Sequence, residues 1–163
     1  MGETTRKIIL SGNTGVGKTS LVSRYVHERF LEKYPSSIGV RIDRKELQIS
    51  HNILDMIIWD LSSKSSQEEV PQSYLLRTSG AIYVVDISEP STFDNMVEDI
   101  AFFQKKLSGI PILIVANKSD KVSPAAINFI IEEMPVRPDF ISSAKENINV
   151  TEIFQRLGEL MLS

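Results

Sequence analysis

Apolar runs of a length that suits buried strands alternate along this chain with stretches whose apolar residues recur at helical spacing, and few folds accommodate that order. The runs are Ile8-Ile9-Leu10, Ile53 to Trp59, Ala81 to Val85, Ile110 to Ala116 and a short Phe140-Ile141. Arg41 to Ile49 alternates charged with apolar residues, which predicts a strand with one wet face at a sheet edge. Lys18 to Phe30 and Ser91 to Leu107 read as helices, the second placing Phe93, Met96, Val97, Ile100 and Phe103 on one face. Ser123-Pro124 combines a capping serine with proline at the first helical position, opening a helix with Ile127, Ile130 and Ile131 inward. Asn149 and Glu152 have the spacing of a capping box, and Val150, Ile153, Phe154 and Leu157 continue as a buried stripe. This order predicts an α/β fold, an open and mostly parallel sheet with helices on both faces, formed as a single domain over residues 1–163.

Composition removes several classes of function. The chain has 18 basic and 21 acidic residues, a formal charge of -3, which is too mild and of the wrong sign for a non-specific binder of nucleic acid or acidic membrane. The absence of cysteine excludes disulfides, thiolate metal sites, Cys nucleophiles and S-lipidation within this stretch, and with His27 and His51 the only histidines a His-based metal site is not expected. No apolar run approaches the ~20 residues that a membrane span requires. The opening Met-Gly-Glu-Thr-Thr-Arg lacks a signal peptide's apolar core and places Arg6 where a myristoylation signal has Ser or Thr. A cytoplasmic monomer without a nucleic-acid partner is the expectation.

Two segments carry chemistry. Gly12-Asn13-Thr14-Gly15-Val16-Gly17-Lys18-Thr19 fits G-x-x-x-x-G-K-[ST] and stands between a predicted strand and a predicted helix, where that motif works. Small residues let the backbone curl so that N–H groups, Ser20 at the helix start included, point at a β-phosphate. Lys18 reaches the β- and γ-phosphates, and the Thr19 hydroxyl suits Mg²⁺. Asn117-Lys118-Ser119-Asp120 follows the Ile110 to Ala116 strand at the carboxyl end of the sheet, where ligands of such folds bind. A carboxylate at Asp120 can accept the N1 and 2-amino N–H groups of guanine, which adenine lacks. Ser143-Ala144-Lys145, after the last short strand, offers backbone N–H groups to the guanine O6.

On these residues, with Tyr34-Pro-Ser-Ser37-Ile-Gly39 and Trp59-Asp60 between them in order, the chain resembles a Ras-superfamily small GTPase, closest to the Rab branch, over nearly its whole length. The resemblance implies a P-loop NTPase-type G domain that binds GTP and GDP with Mg²⁺ and acts as a switch in vesicle trafficking or signalling. By resemblance, Phe30 packs edge-on against guanine, Ser37 stands where the family has the Mg²⁺-binding switch I Thr, and Asp60 holds Mg²⁺ through water. Ile38, Ile42, Trp59 and Tyr74 correspond to the surface that meets effectors, with exchange factors as further partners, and Ile42 replaces a Phe of the aromatic triad.

The pattern breaks after the third strand. The family has Asp-x-x-Gly-Gln, and this chain has Asp60-Leu61-Ser62-Ser63-Lys64. Ser63 restricts a peptide that glycine leaves free to turn its N–H to the γ-phosphate. Lys64 has donors and no acceptor, so it cannot hold the attacking water as Gln does, although it can bring positive charge to the phosphate. Gln67 is the other candidate for the water. Slow or impaired hydrolysis is therefore expected. Two rivals stand beside this reading: a pseudo-GTPase docking module held in one nucleotide state, and a P-loop kinase or ATPase, which Asp120 argues against. The chain ends at Ser163 without the tail and terminal cysteines that anchor relatives to membranes; either such a tail lies outside this stretch or the protein never carried a prenyl group.

Overall fold

The computed structural model describes residues 2–31, 40–61 and 70–163, so the expectations for Ser37, Ile38, Ser63, Lys64 and Gln67 lie outside the described residues. Strands β1 (Glu3–Ser11), β2 (Arg41–Ile49), β3 (Asn52–Asp60), β4 (Thr78–Asp86), β5 (Ile112–Asn117) and β6 (Phe140–Ile141) form a six-stranded sheet in the order β2-β3-β1-β4-β5-β6. All neighbours pair in parallel except β2 and β3, which form an antiparallel hairpin. Helices α1 (Lys18–His27), α2 (Met96–Lys106), α3 (Pro124–Glu133) and α4 (Val150–Leu162) complete the α/β architecture. Among the described residues no helix is long and apolar enough to cross a membrane.

The two-residue period of the central strands separates the core into layers. Ile8, Leu10, Ile82, Val84, Leu113 and Val115 pack with Leu21 and Val22 of α1 and Ile153 and Leu157 of α4. Their sequence neighbours Tyr83, Val85, Ile114 and Ala116 turn to the other face, against Met96 and Ile100 of α2 and the half-buried Ile127, Ile130 and Ile131 of α3. Tyr25 and Phe154 stack across the first layer, ring centroids 4.1 Å apart. Strand β2 is the edge that its alternation predicts, and its residues alternate between exposed and half-buried up to Ile49.

Several local expectations are corrected. The α1 helix stops at His27 because Glu28 adopts a left-handed conformation (φ 57°) and returns its N–H to the Arg24 carbonyl, so Phe30 lies beyond the helix, half-buried against the core. The start of the Ser91 to Leu107 stretch is a 3₁₀ turn at Pro90–Phe93, and α2 begins only at Met96. The Thr92 hydroxyl donates to the Glu89 carbonyl and accepts the Asp86 N–H, a local side-chain bonding that competes with helix. Val97 then falls on the outer side, 58% exposed, and its expected inward place goes to Asp99. Strand β5 starts at Ile112, because Pro111 has no N–H for the ladder. Neither predicted cap forms through its side chain: Ser123 makes no such bond, and Asn149 (φ 60°) donates from Nδ2 to the Ile141 carbonyl instead. That bond ties the start of α4 to β6.

Asp99 is buried, and Tyr83 Oη donates to its Oδ2 at 2.7 Å. Burial raises the Asp99 carboxyl above the usual carboxylate range, while the tyrosine hydrogen bond pulls it back. A carboxyl raised in the folded state adds stability below its unfolded pKa and loses it as pH rises through the folded value. Tyr83→Phe removes the donor that favours the charged form, so it is expected to cost about 1–3 kcal/mol near neutral pH and less near pH 4. Urea unfolding at both pH values checks this, and an equal loss at the two would contradict it.

Candidate nucleotide site

Ile8 to Leu10 bury β1 in the sheet centre, and the chain leaves it for α1 at its carboxyl end, between β3 and β4. Ligands of open α/β sheets bind at that place. Gly12 (φ 140°) lies so close to β4 that a Cβ would stand 2.2 Å from the Val84 carbonyl oxygen, and at Gly17 (φ 103°) a Cβ would stand 2.3 Å from Asn117 Nδ2. The intervening Thr14 and Gly15 are exposed while Val16 is fully buried and anchors the loop. No side chain caps α1 and its first turn has no acidic residue, which leaves an N-terminus suited to an anion.

Lys18 is 2% exposed and its Nζ donates to the carbonyls of Gly12 and, at 3.0 Å, Asn13. Burial pushes its pKa down to about 8, with Asp60 and Asp99 acting in the opposite sense. Thr19 Oγ1 donates to Asp60 Oδ2 at 2.6 Å, so the hydroxyl and carboxylate expected to serve one Mg²⁺ are adjacent. Both are hard oxygen donors of the kind that Mg²⁺ takes. Ser20 follows half-buried in the same turn. The loop's open curl, the ammonium and the oxygen pair fit a Mg²⁺-bound polyphosphate.

At the end of β5, Asn117 is buried and joins three segments. Its Nδ2 donates to the Val16 carbonyl at 3.1 Å, and its Oδ1 accepts from Ser142 Oγ at 3.0 Å and the Ala144 N–H at 3.2 Å. Lys118 adopts a left-handed conformation (φ 68°), and its Nζ donates to the Gly15 carbonyl at 2.6 Å while pairing with Asp86 at 3.4 Å. Asp120 is exposed, and its Oδ1 accepts from the buried Ser143 hydroxyl at 2.7 Å. The Ser143 oxygen in turn accepts the Glu146 N–H at 3.0 Å, which closes the 143–146 turn. The glycine-rich 12–19 loop, the 117–120 segment and the 143–145 segment, far apart in sequence, thus meet in one network.

Sequence reasoning missed two members. Asp86 pairs with Asn117 in the β4–β5 register, and its position at a strand's carboxyl end was a readable signal. Arg24, on α1, donates from Nε to the Ala144 carbonyl at 2.8 Å and from Nη2 to the Lys145 carbonyl at 2.9 Å; no local pattern announces it.

The described residues of the expected partner surface lie on β2, β3 and the 72–75 turn, with Trp59 next to Asp60. Trp59 meets Tyr74 edge-on with ring centroids 5.8 Å apart, and both are half-buried. Lys7 Nζ lies 3.7 Å from the Trp59 ring centre and donates to the carbonyls of Tyr74 and Leu76 at 2.6 and 2.9 Å. Ile42, opposite Trp59 in the β2–β3 register, is 55% exposed.

Residues 7–163 match the Ras family. The chain is similar to Ras-related protein Rab-32 of Mus musculus, 33% identical over 168 residues that cover 96% of this chain and 75% of that protein. It is also similar to Ras-related protein RabC of Dictyostelium discoideum, 30% identical over 162 residues, 93% of this chain and 81% of that protein. Ras-related protein RABG3a of Arabidopsis thaliana is 28% identical over 173 residues, 98% of this chain and 84% of that protein.

Proposed function

Because this chain belongs to the Ras family, as a small GTPase near the Rab branch, we propose that it is a GTP/GDP switch whose hydrolysis is slow. Members of the family bind guanine nucleotides with Mg²⁺, and Rab-like GTPases meet effectors and exchange factors. The observation that carries the reading for this chain is the buried Asn117 amide, which ties the phosphate loop to the Ser143-Ala144-Lys145 turn. In this reading Gly12 to Thr19 hold the phosphates, with Asn13 to Gly17 supplying backbone N–H groups and Lys18 the cation. Asp120 accepts the guanine N–H pair, and the 143–145 turn reads O6 through the Lys145 N–H, since the Ala144 N–H donates to Asn117 Oδ1. Phe30 closes the base pocket. Thr19 and Ser37, with Asp60 through water, would hold Mg²⁺, which when bound would supply positive charge to the phosphates. Thr14 and Gly15 are the loop positions nearest the γ-phosphate, Ser63 takes the place of the family's Gly, and Lys64 or Gln67 replaces its water-positioning Gln. Effectors meet Ile38, Ile42, Trp59 and Tyr74.

Guanine selectivity tests the base pocket. Competition binding is expected to favour GTP strongly over ATP, because adenine leaves the Asp120 carboxylate without its donors. Asp120→Asn should weaken GTP by at least ~1.5–3 kcal/mol, the range for a hydrogen bond to a charged group. Equal affinity of the parent protein for the two nucleotides would refute the assignment.

A second reading, a docking module held in one nucleotide state, is favoured by Ser63 and Lys64. Single-turnover hydrolysis separates the two: a measurable rate supports the switch, and none supports the docking module. The nucleotide that stays bound through purification is a further check, since retained GTP is the mark of failed hydrolysis.

A further inference from the structure

We propose that Arg24 is a positioning residue for guanine recognition, holding the Ala144–Lys145 backbone in the orientation that reads the base O6. The inference rests on the nucleotide reading above. Two donors of one guanidinium meet two successive carbonyls, Ala144 at 2.8 Å and Lys145 at 2.9 Å. Both acceptors are backbone oxygens rather than carboxylates, so the fork fixes peptide planes where a salt bridge would only pair charges.

The consequence follows from peptide geometry. The Ala144 carbonyl and the Lys145 N–H belong to one planar trans unit and point in opposite directions. Drawing that carbonyl toward α1 therefore turns the Lys145 N–H away from α1. One plane earlier in the turn, Asn117 Oδ1 accepts the Ala144 N–H, and Ser143 Oγ accepts the Glu146 N–H after it. Arg24 supplies the contacts that the turn's own hydrogen bonds leave out, and it does so from outside the turn.

The location of Arg24 adds a second effect. It stands six residues after Lys18 on the same helix, a rise of about 9 Å. The α1 helix is packed against β1 and α4 through Leu21, Val22 and Tyr25, all buried. Its first turn holds the phosphate end of the site and its second turn holds the base loop, so one rigid element sets the distance between the two. Neither Asn117 nor Lys118 does this, because both reach the phosphate loop from the base side.

The test compares release rates of three nucleotides from the full chain with Mg²⁺: GDP, inosine diphosphate, which keeps O6 but lacks the 2-amino group, and 6-thio-GDP, which replaces O6 with a weakly accepting sulfur. The parent protein is expected to release 6-thio-GDP faster than GDP. Arg24→Ala should accelerate release of GDP and inosine diphosphate roughly tenfold each, the loss of a charge-assisted hydrogen bond, while release of 6-thio-GDP changes by less than about threefold. Arg24→Lys, with a point charge in place of a fork, should recover part of the difference. If Arg24→Ala does not fold, Arg24→Gln carries the same comparison with one donor group retained. Equal acceleration of all three nucleotides, GDP release unchanged by the substitution, or a parent that does not distinguish 6-thio-GDP from GDP would each overturn the inference. A parent that fails to prefer GDP over ADP would instead overturn the nucleotide reading on which it rests.

Discussion

Lys18→Ala is expected to lower GTP affinity by about 2–5 kcal/mol, a factor of roughly 30 to several thousand, which is the cost of truncating one partner of a buried, hydrogen-bonded charge pair. The side chain is 2% exposed, and its ammonium bridges the carbonyls of Gly12 and Asn13, the first two residues of the loop. An ammonium has three donors, so two hold the loop closed and a third is left for a phosphate. Alanine removes the charge and also leaves the two carbonyls without their donor, so the loop loses its shape along with its cation. Lys18→Arg should not rescue binding, because the planar fork is larger and cannot reproduce a compact donor in a site this buried. Equilibrium binding of a fluorescent GTP analogue, with thermal unfolding to show that the variants fold, measures the effect. Affinity of Lys18→Ala within threefold of the parent would exclude the role.

The second large effect concerns turnover. In related proteins a Gln-oriented water gives an intrinsic rate on the order of 10⁻⁴ s⁻¹, and an arginine finger raises it about 10⁵-fold. That gain requires a correctly placed water, since added positive charge stabilises only an attack that geometry permits. With Ser63 and Lys64 in the loop, the intrinsic rate is expected at or below the family's, with a poor response to ordinary activating partners. Ser63→Gly with Lys64→Gln should raise single-turnover hydrolysis more than either change alone, because one frees the peptide and the other supplies the acceptor. Lys64→Ala distinguishes the alternative in which Lys64 neutralises developing charge: slower turnover in that variant supports a cis-acting cation, and unchanged turnover supports impairment. Brisk hydrolysis by the parent would refute this reading of the loop.

Part of this fold and site was legible because it depends on neighbours in sequence. Ile8-Ile9-Leu10 is apolar on both faces and lies in the buried strand β1, and the glycines that follow form the turn into α1 that their spacing predicts. The alternation of Arg41 to Ile49 announced an edge strand, and β2 is the edge. Periodicity failed where a polar residue found a distant partner. Val97 has the hydropathy of a core residue and Asp99 does not, yet Asp99 is inside because Tyr83, on the strand beneath, donates to it. Asn149 has the character of a capping residue, yet its amide is taken by β6.

By itself the sequence determined the order of strands and helices along the chain, the glycine-rich turn between β1 and α1, and the residue types proposed for the base pocket, since each rests on local spacing and on which groups a side chain carries. Only the tertiary structure decided how those parts meet. It placed Asn117 between Val16 and Ala144, set Thr19 against Asp60, and brought Arg24 to the 144–145 carbonyls. The physical reason is that a hydrogen bond between residues 41 or 120 positions apart leaves no periodic trace in either segment. Its geometry exists only once the parallel sheet has brought the carboxyl ends of β1, β3 and β5 to one rim.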